Sequence, residues 1–272
     1  MMMRLGLATL LAAGLASFGG CSGGDDDDDA ASSSSSSTGG GSSSSGGGSS
    51  SSSGGFQQPA DVEAGSATTL DVENAYGSVD LTGESRTSVH VVATFTGQDV
   101  ARAGEITVTS ALSGSALQVR VIYPASNPPN VVCNLAISAP AGLAPQVSTQ
   151  AGAITHAHGT AGGTHDTAAG AITVVDGAGA FSATSQAGAI NLGLTGTVAA
   201  LSATSASGNV ALTLPAATNA NLSATTTLGT ITITGITLTG TNTGTTASGQ
   251  FGTGGPTLTL QSTTGDITIT GQ

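Results

Sequence analysis

The sequence predicts an all-β parallel β-solenoid, a β-helix or β-roll with roughly 18–21 residues per coil, preceded by a disordered Ser/Gly tether. Three observations carry this. Gly152, Gly170 and Gly188 stand 18 residues apart, and each opens the same Gly-Ala-Ile unit, in TQAGAITHAH, TAAGAITVVD and SQAGAINLGL. The frame continues at Gly208, Gly229 and Gly265 with intervals of 20, 21 and 36 residues, the last of which reads as two further periods. Around these glycines, aliphatic residues alternate with Thr, Ser and Asn, the period-two pattern of half-buried strands. A unit of about twenty residues that repeats itself buries its apolar side against its neighbours, which is how solenoids are built. The mature chain has no stretch with the 3.6 period and caps of a long helix.

Composition removes several classes of function. Of 272 residues, only 7% are charged and 3% aromatic, Trp is absent, and Gly contributes 42. Soluble domains ordinarily carry about 25% charge, so this surface is made of Thr, Ser, Asn and Gly. The four basic residues are all arginines, at 4, 86, 102 and 120, and the net charge is −12. Nucleic-acid binding needs a basic stripe, and so does attraction to anionic lipid; the chain has neither.

In chain order, Met1–Gly20 combines Arg4 with an apolar run from Leu5 to Leu15. The run is too short to span a bilayer and reads as a signal peptide. Ser17-Phe18-Gly19-Gly20-Cys21 resembles the lipobox of bacterial lipoproteins, which implies lipidation of Cys21 and a membrane anchor. Ser22 after the cysteine, in place of Asp, implies the outer membrane. The alternative is simple secretion with cleavage near Ala16 or Gly20. Residues 21–58 follow as the lipidated cysteine and an Asp/Ser/Gly linker with nothing apolar to bury, hence disordered, with a reach of roughly 30 Å. The run Asp25–Asp29 reads first as a solvated acidic segment, and secondly as a calcium site or an acidic export tag.

The solenoid domain is expected over 59–272. Leu70 and Val72 open it, and Gly77-Ser78-Val79-Asp80-Leu81 anticipates the later Gly-x-Ile units. Val89, Val91, Ala93 and Phe95 share one face with His90 on the other; Leu117, Val119, Val121 and Tyr123 follow. Pro124, Pro128 and Pro129 interrupt the pattern as a loop, because proline cannot donate to a ladder. Val131, Cys133, Leu135 and Ile137 resume it. Each later coil has two short strands. One carries Ile172/Val174, Ile190/Leu192/Leu194, Val210/Leu212/Leu214, Ile231/Ile233 and Ile267/Ile269 inward; the other carries Phe181/Ala183, Leu201/Ala203 and Leu222/Ala224. Thr and Ser are expected outside, with Thr155 above Thr173. Each strand is expected to be replaced by its equivalent one period later, so that successive coils run parallel; a β-sandwich is the structural alternative.

Leu70-Asp71-Val72-Glu73-Asn74, the unit at 77–81, the segment LAISAPAGLAPQVSTQAGAI at 135–154 and the repeated Gly-Ala-Ile together resemble the bacterial putative-adhesin β-solenoid family over about 65–272. The resemblance implies an adhesin-like envelope domain with no catalytic residues and no cofactor to carry over.

Three histidines interrupt the aliphatic pattern. His156 and His158 are two apart on one strand, and the 18-residue period sets His156 at the position of Val174 and His165 at that of Ala183. The alignment reads first as an incidental polar patch, and secondly as a metal site of His156, His158 and His165 with Asp166 nearby, since imidazole suits zinc or copper. Catalysis is not expected. No Gly-x-Ser-x-Gly elbow precedes a helix, and after Ile106 the only acids are Asp166, Asp176 and Asp266, in different coils, where glycoside hydrolysis needs a pair. Cys133 falls in a buried phase and reads as a small core residue. Thr230–Thr234 and Thr257–Thr259 suggest Thr rows that could bind ice, though Asn191 and Ala211 break them. The expected function is a cell-envelope lipoprotein, most readily of the outer membrane and periplasmic or surface-exposed. Its solenoid is a non-catalytic structural or adhesin-like binding module with a surface glycan or protein as ligand. The scarcity of aromatics to stack on sugars counts against a glycan. The second reading is an envelope-stress or signalling accessory that senses a partner, and the third is the ice-binding solenoid.

Overall fold

The computed structural model describes residues 57–272. The expectations for the signal peptide, for Cys21 and for the Asp/Ser/Gly linker up to 56 lie outside the described residues. Nineteen strands and one short 3-10 turn, Val100–Glu105, make up the described chain. The strands are β1 Gln57–Glu63, β2 Thr69–Tyr76, β3 Val79–Glu84, β4 Ser88–Gly97, β5 Thr107–Ser113, β6 Ala116–Ile122, β7 Val131–Pro140, β8 Ala144–Ala151, β9 Ile154–Ala157 and β10 Gly163–Ala169. They continue as β11 Ile172–Ala187, β12 Ile190–Ser207, β13 Val210–Leu214, β14 Ala220–Leu228, β15 Ile231–Thr234, β16 Leu238–Asn242, β17 Thr246–Phe251, β18 Thr257–Thr264 and β19 Ile267–Gly271. The protein is all-β with a parallel-rich, solenoid-like sheet. No helix among the described residues is long and apolar enough to cross a membrane.

The strands form two facing stacks. In the first, parallel pairing runs β6, β2, β8, β10, the later half of β11, the later half of β12, β18 and β14. In the second it runs β7, β3, β9, the early half of β11, the early half of β12, β13, β19 and β15. Because β11 and β12 each contribute to both stacks, the hydrogen bonding is continuous as one sheet. Between the stacks lie the aliphatic rows expected from the alternation, among them Ile154, Ile172, Ile190, Val210 and Ile267, each fully buried. Burial of one such side chain stabilises the fold by about 1.5–3 kcal/mol. Cys133 is buried and free, and burial pushes its thiol up to about 12.

The regularity has a covalent cause at one bend. Gly77, Gly152, Gly170, Gly188, Gly208, Gly265 and Gly229 form a ladder, each against the backbone of the rung below. A Cβ on Gly188, at φ +158, would collide with the carbonyl oxygen of Gly170, and one on Gly208 with that of Gly188. Only glycine lets successive bends approach at strand spacing.

Both ends of the stack depart from the expected order. Gly265 does not lie two coils beyond Gly229. Gly208 N donates to Thr264 O at 2.8 Å and Gly265 N donates to Leu228 O at 2.8 Å, so the β18–β19 coil is inserted between those of β12–β13 and β14–β15. At the other end the β2–β3 coil lies between those of β6–β7 and β8–β9. Counting periods along the chain assumes that chain order is coil order. Register depends only on matching side chains and bends, whichever part of the chain supplies them. Antiparallel strands then extend the ends: β4 on β7, β1 on β4 and β5 on β6 at one, β17 on β14 and β16 on β17 at the other. Parallel replacement one period later thus holds for 149–214 and not beyond it.

Candidate functional site

The histidine coil is the one place where the aliphatic interior gives way to imidazoles. Register pairs His156 with Val174 and His165 with Ala183, so β9 and β10 carry both rings to inward positions. His156 is 2% exposed and His165 fully buried. Their nitrogens, Nδ1 of His156 and Nε2 of His165, meet at 3.1 Å, and the rings cross nearly at right angles with centroids 5.1 Å apart. The ring of Phe181 closes the cluster at 5.9 Å from His156 and 6.2 Å from His165. Glycines make the room: a Cβ on Gly159 would collide with the Nε2 edge of His156, and one on Gly177 would lie 2.8 Å from Phe181 Cζ.

Burial pushes His156 down to about 4, and burial with the neighbouring His156 pushes His165 down to about 3. Both rings are therefore neutral at neutral pH, and one donates to the other. His165 Nδ1 is buried without a partner. An orphan lone pair costs less than an orphan N–H, which favours His165 Nε2–H donating to His156 Nδ1 and puts the remaining proton on His156 Nε2 beside Gly159.

The three-imidazole centre that the sequence offers as its second reading is not assembled. β9 ends at Ala157, and His158 adopts φ +58, which breaks the alternation that would have kept it on the side of His156. Its Nδ1 lies instead 3.6 Å from Asp176 Oδ2, and both side chains are more than half exposed. Asp166 is exposed on the outer side of β10. Among the described residues no group of three or more His, Cys, Asp or Glu could hold a metal ion. The ice-binding rows fail as one surface too, because Thr232 and Thr234 belong to the second stack and Thr257 and Thr259 to the first.

The arginines of the described residues are occupied locally. Arg102 forms two bonds of 2.7 Å to Glu105, Arg120 pairs with Asp71 at 3.0 Å and with Glu73, and Arg86 reaches Asp61 and Glu84 at 3.4 Å. Each arginine of the described chain thus has a carboxylate.

The second feature is a groove of about 530 Å³ where the first stack opens at the bend opposite the glycine ladder. Gln146, Thr164, Ser182, Ser202 and Thr259 line it as one row, a residue from each of five neighbouring strands in direct register. Beside them Pro145, Gly163, Phe181 and Leu201 form an apolar floor. At Gly163 the inward side chain is missing, and Pro145 Cγ and His165 Cε1 crowd the place, 2.9 and 3.2 Å from where a Cβ would stand. The sequence holds a signal for this row, since Thr164, Ser182 and Ser202 each stand one residue before His165, Ala183 and Ala203. Nothing in that spacing says that the bend opens there.

Among curated proteins none matches this sequence. A solved structure described as a putative cell adhesion protein from Clostridium sporogenes superposes with a TM-score of 0.51 at 11% identity, covering 80% of this chain and 99% of that one. A putative adhesin from Bacteroides fragilis matches 80% of this chain and 97% of its own, at 16% identity and a TM-score of 0.35. The Toastrack model, DUF4097, matches residues 58–270, which takes in both stacks, the glycine ladder and the histidine coil. The chain belongs to the Toastrack DUF4097 family.

Proposed function

We propose that this protein is a non-catalytic, adhesin-like binding module of the cell envelope, held there by lipid on Cys21 and raised from the membrane by the Ser/Gly linker. The observation that carries the reading is the groove. It offers one hydroxyl or amide per strand, Gln146 to Thr259, beside the apolar Pro145, Phe181 and Leu201. Strands lie about 4.8 Å apart, so an extended polymer lying across them meets one hydroxyl or amide at each rung. Such a surface suits a chain ligand, either an exposed glycan or an extended polypeptide, better than a compact metabolite. The pairing of Arg86, Arg102 and Arg120 with carboxylates supports a binding role over a catalytic one, as no arginine of the described residues lines the groove. The description of the Clostridium sporogenes structure as a putative cell adhesion protein agrees with this reading.

The test is adhesion of cells carrying the intact gene, its deletion, and Ser182→Arg with Ser202→Arg, alongside arrays of glycans and envelope polymers probed with the purified protein. Loss of adhesion in both altered strains and loss of array binding by the double variant are expected. Adhesion equal in all three strains together with an empty array rejects the reading.

A further inference from the structure

The strands that end the two stacks are guarded unequally. β1 carries Pro59, Asp61 and Glu63, residues that deter another chain from pairing with an edge. β15 is four residues long, and its Ile231 already donates to Gly244 O and accepts from Asn242 Nδ2. β16 is five residues long with Gly240 at its centre. β5 has none of these protections. Its seven residues, Thr107 to Ser113, include no charge, no proline and no glycine, and every one but Val108 is exposed. Among the described residues β5 pairs only with β6.

The side chains of β5 are also mismatched to solvent. Val108, Ser110 and Leu112 stand opposite Val121, Val119 and Leu117 of β6, the row that faces the core. Leu112 is nevertheless 50% exposed. The core side of this strand is therefore apolar at both ends and uncovered along its free edge.

We infer that β5 is a self-association edge, on which a second copy of this chain adds its own β5 antiparallel about a two-fold axis through Ser110. Strand addition supplies affinity through main-chain hydrogen bonds, and the side-chain match sets the register. With the axis at Ser110, Val108 lies opposite Leu112 of the second copy and Leu112 opposite Val108, while Thr109 faces Ala111 and Thr107 faces Ser113. All seven residues of each strand are then used. Moving the axis to Thr109 leaves Leu112 without a partner, and moving it to Ala111 leaves Val108 without one. The interface is isologous, so it closes at two copies and does not propagate into a fibre.

The test is sedimentation velocity over a concentration series, on the full chain carrying Cys21→Ser so that acyl chains do not drive association. A reversible monomer–dimer equilibrium is expected. Ser110→Lys sets two ammonium groups face to face across the axis and is expected to abolish the dimer, as is Ser110→Glu, both with unchanged thermal unfolding of the monomer. Mixing the Lys and Glu variants is expected to restore a dimer that neither forms alone. A monomer at every concentration of the Ser110 chain overturns the inference, and so does a dimer that survives Ser110→Lys.

Discussion

The hydroxyl of Ser262 donates to the carbonyl oxygen of Gly208, 54 residues earlier in the chain, at 3.0 Å. The same bond recurs at four more bends: Ser205 to Gly188 at 3.0 Å, Ser185 to Gly170 at 3.0 Å, Thr167 to Gly152 at 3.1 Å and Thr226 to Gly265 at 2.8 Å; Thr149 instead bonds Gly152 of its own rung at 3.2 Å. At the first coil Asn74 fills the position and reaches Cys133 O at 2.8 Å. All of these donors are buried. A polar column thus runs along the bend and ties neighbouring rungs together at every step but that between Gly77 and Gly152. Ser205→Ala is expected to lower stability by about 1 kcal/mol, because the Gly188 carbonyl loses its side-chain donor in a part-buried site. Ser205→Thr is expected to be near neutral, as Thr167 and Thr226 already serve. Chemical denaturation midpoints of the three chains check this.

The glycine ladder gives a sharper contrast. Gly188→Ala places a Cβ against the Gly170 carbonyl at φ +158, and neither backbone can move without shifting a whole rung. A loss of more than about 3 kcal/mol, or failure to fold, is expected, the scale of a backbone clash in a packed core. Gly142→Ala meets no atom within 4 Å. It is expected to be neutral or to stabilise by up to about 1 kcal/mol through the unfolded chain. Thermal melts of the two variants would separate them; equal effects would mean that the ladder is not a close approach.

These two columns show what was legible in the sequence. The inward aliphatic rows and the 18-residue bends follow directly from period-two alternation and the spaced glycines. The Ser/Thr column was also present in the sequence, as Asn74, Thr149, Thr167, Ser185, Ser205, Thr226 and Ser262 each stand three residues before a ladder glycine. Alternation alone sets it on the exterior, because hydroxyls on strands usually face water, and the bend reverses that for one residue per coil. His156 and His165 were placed correctly by period alone. His158 was not, since a single left-handed residue at φ +58 ends the alternation and no residue type announces it. The inserted coils at both ends were invisible for a different reason. Their order is set by register between distant segments, which repeats along the chain do not encode.

The buried imidazole pair makes stability depend on pH, with a definite sign. In the folded protein His156 lies at about 4 and His165 at about 3, while the unfolded chain titrates near 6.5. Below about pH 6.5 the unfolded state therefore binds more protons than the folded one, and folding weakens as pH falls. The contribution is complete above pH 7 and shrinks progressively toward the folded values. Between pH 7 and pH 5 the two groups together are expected to cost on the order of 3–4 kcal/mol. No carboxylate faces the pair to offset this, because Leu81, Val147, Val174 and Phe181 surround it and Asp166 and Asp176 are exposed. The double variant His156→Val/His165→Ala copies the next coil, Val174 and Ala183. It is expected to fold and to flatten the pH dependence of the urea midpoint across this window. An undiminished slope in that variant would place the acid sensitivity elsewhere.

The inserted C-terminal coil predicts how loss of the chain's end propagates. In a stack ordered as the chain, removing the last coil would strip one interface and leave the remaining rungs paired. Here β18 pairs with β12 on one side and β14 on the other, and β19 pairs with β13 and β15. Truncation after Gly255 removes both strands. It uncovers Leu201, Ala203, Val210 and Leu212 on the near side, and leaves β14 with only its antiparallel partner β17 on the far side. The segment 220–251 would then be an isolated antiparallel ribbon, which is marginal in water without a packed face. Hydrogen exchange of the truncated chain is expected to show amide protection lost throughout β14 to β17, although those residues are all present, while β8 to β11 stay protected. Protection kept in β14 and β15 would mean that this coil docks directly on β12 and β13, and that the inserted order is not required for the fold.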